Sequence, residues 1–156
     1  LFSCIKDDES ETINYINVNS QIPTFAVEDT AGNTFSSKQF IGKQSLLVFF
    51  GTYCPDCKQV LPVIEEVWKE LKDDPRFLLV TISRKETAEV VSNYWKENQF
   101  TMPFYLDTRG EVFSLFANNT IPRIYIINPD NEVVWMAVES LDISAKELIQ
   151  KIKGLK

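Results

Sequence analysis

Two cysteines three positions apart, Cys54 and Cys57, are the residues whose type and spacing point most directly to chemistry. If both lie at the start of one helix, their sulfur atoms are almost one turn apart and can reach each other. Such a pair carries out thiol–disulfide exchange, in which one thiolate attacks a substrate disulfide and the second thiol resolves the mixed disulfide. We therefore expect Cys54 to be the nucleophile and Cys57 the resolving residue, with Pro55 and Asp56 completing the motif.

The residues around this pair predict the elements that must position it. Ser45–Phe50 is an almost continuous apolar run, typical of a central strand that is covered on both faces. Over residues 54–71, apolar side chains recur at helical spacing instead. Cys54 therefore lies where a helix begins, and there unpaired N–H groups and the helix dipole stabilise a thiolate. Thiols at such positions have pKa values of roughly 3.5–7.5 instead of about 8.5.

The alternatives for the two cysteines are a structural disulfide, two inert buried thiols, or a metal site. A disulfide between Cys54 and Cys57 closes a very short loop, so its gain in stability through chain entropy is small. A zinc site needs two further Cys or His ligands, whereas the chain has no histidine and one other cysteine, Cys4. We therefore expect no metal and no other cofactor.

From Ile22 onward, apolar runs alternate with amphipathic stretches, which predicts a single α/β domain. Strands are expected near residues 24–27, 34–36, 45–50, 77–83, 104–106, 123–127 and 133–138, and helices over residues 54–71, 87–98 and from the capping box of Ser144 and Glu147 onward. The turn residues 128–131 predict a hairpin between the last two strands.

Composition and charge exclude some classes of partner. The formal net charge is −6, and Lys and Arg form no concentrated block, so we do not expect nucleic acid binding. No apolar run approaches the roughly 20 residues that a membrane-spanning helix needs.

The first residues resemble the end of a bacterial lipoprotein signal peptide, the lipobox. Leu1-Phe2-Ser3 before Cys4 provides an apolar residue, a spacer and a small residue, and in lipoproteins such a cysteine carries lipid. A free cysteine in a disordered acidic terminus is the alternative. Because residues 5–21 are rich in Asp, Glu, Asn and Ser, we expect residues 1–21 to be a lipobox remnant and flexible acidic tether. Residues 22–156 would then form the domain.

The segment Phe49–Pro62, FFGTYCPDCKQVLP, resembles the active-site segment of thioredoxins, most of all the extracytoplasmic TlpA/ResA-like group. Tyr53 stands where that family usually has Trp. Ile22–Phe25 with the turn that follows resembles the family's N-terminal hairpin, and Asn119–Pro122 resembles its cis-proline loop. The resemblance extends over roughly residues 22–154.

The resemblance implies a fold, a site and a function. The implied fold is a thioredoxin-like three-layer α/β sandwich, in which a central mixed sheet has helices on both faces and an N-terminal β-hairpin extension. Ile121 and Pro122 would contact the substrate chain, Ile121 through its backbone. The implied activity is reduction or isomerisation of disulfides in extracytoplasmic proteins, with a membrane thiol protein as a possible electron donor. We expect a monomer anchored by lipid on Cys4, at the periplasmic side of a bacterial membrane or on the cell surface.

Some positions depart from the family pattern. Val48 and Val60 stand where thioredoxins and ResA-like proteins, respectively, carry carboxylates that handle the proton of the buried thiol. Glu86, just beyond a predicted strand, is a candidate for that role, although a solvated loop residue is the favoured interpretation. We expect Asp56 to raise and Arg123 to lower the pKa of a nearby thiol. Because Asp56 makes the thiolate less stable, we expect a reductase.

Two other functions are open on the sequence alone. A peroxiredoxin shares the fold, but its motif has Thr three residues and Pro seven residues before the reactive Cys, where this chain has Gly51 and Leu47. The other is a binding module that keeps the fold with little redox turnover, since the missing carboxylates would slow proton transfer. Turnover of a disulfide substrate distinguishes an enzyme from such a module.

Overall fold

The computed structural model describes residues 11–140 and 142–155, and its elements follow the predicted α/β order. The strands are β1 Ala26–Glu28, β2 Thr34–Ser36, β3 Gln44–Phe50, β4 Phe77–Arg84, β5 Tyr105–Asp107, β6 Arg123–Ile127 and β7 Val133–Val138; the α-helices are α1 Pro55–Leu71, α2 Ala88–Asn98 and α3 Ala145–Lys153. Short 3-10 helices lie at Ser37–Phe40 and Phe113–Leu115. The predicted capping box of Ser144 and Glu147 begins α3.

These strands form one mixed sheet in the order β2-β1-β5-β4-β3-β6-β7. β3 is parallel to β4, and β4 is parallel to β5, whereas the remaining neighbours are antiparallel. All seven residues of β3 are buried, which confirms the predicted central strand. The predicted hairpins, β1–β2 and β6–β7, are also confirmed.

Alternating side chains of β3 divide the core into two layers. Leu46, Val48 and Phe50 pack in the layer that contains the buried faces of α1, α2 and α3, whereas Leu47 and Phe49 pack in the opposite layer. That second layer is filled largely by aromatic rings: Phe25, Phe35, Phe40, Phe113, Phe116 and Tyr125. The α/β class is confirmed, but within the described residues α1–α3 share one face. Large rings fill the other face, so the hairpin and the 3-10 helices are sufficient to cover it.

The prediction of a flexible tether is wrong for residues 11–21. β-Bridges join Asn14 to Ala117 and Gln21 to Glu132, and the Asn19 N–H donates to the Val133 carbonyl oxygen at 2.7 Å. These contacts are made by the backbone and by polar side chains, and contacts of this kind leave no apolar period in the sequence. The folded unit therefore begins before residue 22. Cys4 lies outside the described residues, so its lipid attachment stays a prediction.

A buried carboxylate joins α1 to the segment between α2 and β5. Glu65 is 5% exposed and accepts hydrogen bonds from the N–H of Thr101 and of Met102, at 2.9 and 3.0 Å, and from the Thr101 hydroxyl at 2.6 Å. The Met102 carbonyl oxygen in turn accepts from the Trp95 indole N–H at 2.8 Å. Glu65 therefore fixes the segment that follows α2 against the helix that begins at the two cysteines.

We expect Glu65→Ala to lower the free energy of unfolding by about 1–3 kcal/mol, because the N–H of Met102 and two donors of Thr101 lose their acceptor. Urea denaturation followed by circular dichroism measures this loss. Glu66→Ala is the matched control, since Glu66 is the exposed neighbour on the same helix. Equal stability of the two variants would contradict this role of Glu65.

Candidate active site

The junction between β3 and α1 brings the two cysteines together as predicted. Cys54 is the N-cap residue of α1, and its Sγ accepts a hydrogen bond from the Cys57 N–H at 3.1 Å. Pro55 occupies the start of the helix, where its fixed φ suits the first turn and no N–H is needed. Strand β3 ends at the edge of the sheet, and the first turn of α1 brings the Cys54 and Cys57 sulfur atoms close together.

The two thiols differ in burial. Cys54 is 8% exposed, whereas Cys57 is fully buried. Both pack in one apolar cluster with Val48 and Val60, the positions at which the family pattern has carboxylates. Burial, a side-chain hydrogen bond with Cys54 and the negative charge of Asp56 together raise the pKa of the Cys57 thiol well above its ordinary value. Cys54 is therefore the less buried of the two residues, and Cys57 is held as a thiol within the apolar cluster.

The predicted substrate-contacting loop lies beside Cys54. The Ile121–Pro122 peptide bond is cis, and the Ile121 carbonyl oxygen lies 3.8 Å from the Cys54 Sγ, which is its donor. Arg123, which follows, is fully buried, and its shortest hydrogen bonds go to the loop carbonyls of Thr120 and Asn119 and to the side chain of Asn14. Arg123 therefore holds the loop, whereas the negative charge of Asp56 raises the pKa of the Cys57 thiol.

Glu86 is not a solvated loop residue, because it is only 9% exposed. Its Oε1 accepts from the Thr52 N–H at 3.0 Å and from the Ser83 hydroxyl at 2.7 Å, and its Oε2 accepts from the Thr52 hydroxyl. Thr52 belongs to the turn that leads into Cys54. Glu86 therefore ties the end of β4 to the turn of the active site. The sequence signal for this contact was the position of an acidic residue just beyond a buried strand, at the same edge of the sheet.

Sequence reasoning gave no structural role to Gly51, the first residue of this turn. A Cβ atom at Gly51 would lie 2.6 Å from Cε2 of Tyr53 and 3.0 Å from Cδ1 of Ile121, so the missing side chain leaves space for both groups. The Tyr53 ring folds over Gly51 and remains 60% exposed. Partial burial raises the pKa of the Tyr53 hydroxyl above its ordinary value. Tyr53 and Ile121 thus form an apolar rim next to Cys54.

The burial and raised pKa of Cys57 predict that an alkylating reagent modifies this thiol slowly in the folded protein. In a Cys54→Ser variant, we expect iodoacetamide to modify Cys57 at pH 8 at least about tenfold more slowly than in the urea-unfolded chain, because only the thiolate is nucleophilic. The rate of Cys57 alkylation in the folded protein should still increase with pH above pH 9, because a raised pKa shifts ionisation of the thiol to higher pH. Mass spectrometry of the peptide that contains Cys57 measures both rates.

The matched control is Cys57→Ser, in which the more accessible Cys54 should react readily in the folded protein. Equal rates for Cys57 in folded and unfolded chain would contradict the assignment of Cys57 as the protected thiol.

Comparisons with known proteins agree with this geometry. The Redoxin family profile matches residues 17–149. The thiol-disulfide oxidoreductase ResA of Bacillus subtilis (strain 168) is 30% identical over 119 residues, which cover 76% of this chain and 66% of that protein. This chain therefore spans about two thirds of the length of that relative.

Solved structures show the same fold. A candidate protein disulfide isomerase from Bacteroides thetaiotaomicron superposes with a TM-score of 0.84 at 26% identity, covering 90% of each chain. StoA from Bacillus subtilis superposes with a TM-score of 0.70 at 25% identity, covering 83% of this chain and 96% of that one. With the profile match over most of its length and a paired thiol at the start of α1, the chain belongs to the Redoxin family and is a ResA-like member of it.

Proposed function

We propose that this protein is a thiol–disulfide oxidoreductase that reduces or isomerises disulfides of extracytoplasmic proteins. The observation that carries the proposal is the asymmetry of the thiol pair. Cys54 is 8% exposed and lies beside the Ile121 carbonyl, whereas Cys57 is fully buried and its thiol has a raised pKa. An attacking thiol that is less buried than the resolving thiol suits disulfide exchange, because the client sulfur must reach the attacking thiol first. The name of the ResA relative describes the same activity.

The reaction follows from this arrangement. The Cys54 thiolate attacks one sulfur of a client disulfide, forming a mixed disulfide and releasing the client's other sulfur as a thiolate that takes up a proton. Cys57 then loses its proton and attacks the Cys54 sulfur, which breaks the mixed disulfide and frees the second client thiol. Two electrons and two protons have passed to the client, and the Cys54–Cys57 disulfide has formed. A dithiol donor must reduce that disulfide before the next cycle.

The location and partners are part of the proposal. Cys4 would carry the lipid, and a membrane thiol protein would supply electrons to the oxidised pair. The lipobox-like residues Leu1–Cys4 and the resemblance of Phe49–Pro62 to the extracytoplasmic TlpA/ResA-like group support an extracytoplasmic site of action. None of the helices in residues 11–140 and 142–155 combines the length and apolar character needed to cross a bilayer.

We expect the wild-type protein to catalyse reduction of insulin disulfides by dithiothreitol, and Cys54→Ser to abolish that catalysis because the attacking sulfur is lost. Cys57→Ser should accumulate a mixed disulfide with a client, since no second thiol resolves it. Non-reducing electrophoresis and mass spectrometry detect this adduct. A wild-type protein without turnover, and a Cys57→Ser variant without adduct, would instead indicate a binding module.

We expect a reducing potential, near or below about −200 mV, for the Cys54/Cys57 pair. Burial and the charge of Asp56 keep Cys57 protonated, so the reduced pair gains no stabilisation from a Cys57 thiolate, and the same charge disfavours any thiolate close to it. Equilibration against defined glutathione and dithiothreitol ratios measures the potential.

Asp56→Asn should make the potential less negative, and Asp73→Asn, just beyond the far end of α1, is the matched control. A potential close to about −120 mV would mark the protein as an oxidant and overturn the proposed direction.

A further inference from the structure

The loop before β6 is held in place from within the protein by Arg123. The side chain is fully buried, its Nε donates to the Thr120 carbonyl oxygen at 2.8 Å, and its Nη2 donates to the Asn119 carbonyl oxygen at 2.8 Å. The planar guanidinium therefore binds two successive backbone carbonyls, a geometry that a lysine ammonium does not reproduce.

The backbone between these contacts has a conformation that needs support. Thr120 has a φ of +81°, in the left-handed region that β-branched residues rarely adopt. Such a conformation persists when the surrounding structure fixes it. The residue that follows is Ile121, whose carbonyl oxygen lies beside the Cys54 sulfur. The hydrogen bond from Arg123 to the Thr120 carbonyl therefore helps to fix the direction of the Ile121 carbonyl.

Arg123 is held in turn by the segment of residues 11–16, which we call the N-terminal strap. Asn14 Oδ1 accepts a hydrogen bond from Arg123 Nη1 at 2.7 Å. The strap also pairs with the loop: the N–H of Ile13 donates to Asn118 Oδ1 at 2.7 Å, the N–H of Tyr15 donates to the Phe116 carbonyl oxygen at 2.8 Å, and the Thr12 hydroxyl donates to Asn119 Oδ1 at 2.9 Å.

The charge of Arg123 makes the Asn14 contact important. In the part of the chain that the structure describes, no carboxylate forms an ion pair with this buried guanidinium. Its acceptors are neutral oxygens, and Asn14 supplies the one that comes from another segment. A buried charged donor that loses an acceptor is destabilised more than a neutral one. Without Asn14, the Arg123 Nη1 would keep only the Tyr125 hydroxyl at 3.5 Å as an acceptor, so the guanidinium would be held less firmly against the loop carbonyls.

We propose that Asn14 and Arg123 are positioning residues that set the Ile121 carbonyl beside Cys54 for the docking of polypeptide disulfides, a role that rests on the proposed function. A polypeptide whose sulfur reaches Cys54 must pass alongside the Ile121 main chain, because that carbonyl lies 3.8 Å from the Cys54 sulfur. A small aromatic disulfide needs only the sulfur itself. The strap and Arg123 therefore act on selectivity for polypeptides rather than on the reactivity of the thiol.

The test compares two disulfides for each full-length variant. We would measure the second-order rate constants with which the reduced protein reacts with insulin and with 5,5′-dithiobis(2-nitrobenzoate) in single turnover. Asn14→Ala and Arg123→Lys should each slow the reaction with insulin by at least about fivefold and change the reaction with the small disulfide by less than about twofold. Asn14→Asp keeps an acceptor for Arg123 and should restore the wild-type ratio of the two rates.

Asn33→Ala, in the exposed turn between β1 and β2, is the matched control and should change neither rate. Circular dichroism at the assay temperature establishes that each variant is folded. Since Asn14 lies on the surface, its variants keep the test available if Arg123→Lys does not fold.

An equal fall with both disulfides would mean damage to the thiol site and would overturn this inference, as would unchanged rates with insulin. Either result would leave the proposed function intact. A wild-type protein that reacts with the small disulfide but never with insulin would overturn the proposed function instead.

Discussion

The burial of Cys57 beneath Cys54 is the constraint on which the rest of the site depends. A resolving thiol must be kept from premature reaction and yet lie within reach of the attacking sulfur. A fully buried β3 that leads directly into α1 meets both needs, because the strand fixes the start of the helix inside the apolar core while the N-cap residue stays at the edge. Valine at positions 48 and 60 makes the surroundings of Cys57 apolar, and this is why burial is the largest cause of its raised pKa.

The surface around the attacking sulfur is built from segments that are distant in sequence. Glu86 anchors Thr52 from the end of β4, Ile121 arrives from the loop before β6, and the Tyr53 ring packs over Gly51 because no Cβ atom is present there. The thiol pair thus comes from one local motif, whereas the surroundings that present it to a client depend on tertiary contacts.

The division between local and tertiary contacts explains what the sequence predicted. The cysteine pair at a strand-to-helix junction, both hairpins and the Ser144 capping box follow from local periodicity and turn chemistry, and all are present. The position of Glu86 just beyond a strand indicated its edge of the sheet, but its hydrogen-bond partners and those of Arg123 were not predictable, because a polar side chain in the sequence carries no record of the distant oxygen or N–H that it will bind. The same limit made residues 11–21 look like a tether, since polar composition indicates disorder unless the chain supplies partners for each polar group.

The hydrogen bond between Asn14 and Arg123 joins residues 109 positions apart. Closing so long a loop has a larger entropic cost than forming the turn and helix that carry the cysteines, all of which lie within a few residues of one another. Loop-closure entropy therefore favours formation of the local junction before the contact between the strap and Arg123 of β6. A growing or refolding chain would then have the thiol pair at the start of α1 before it has the contacts of Asn14 and Arg123 that hold the loop beside Cys54.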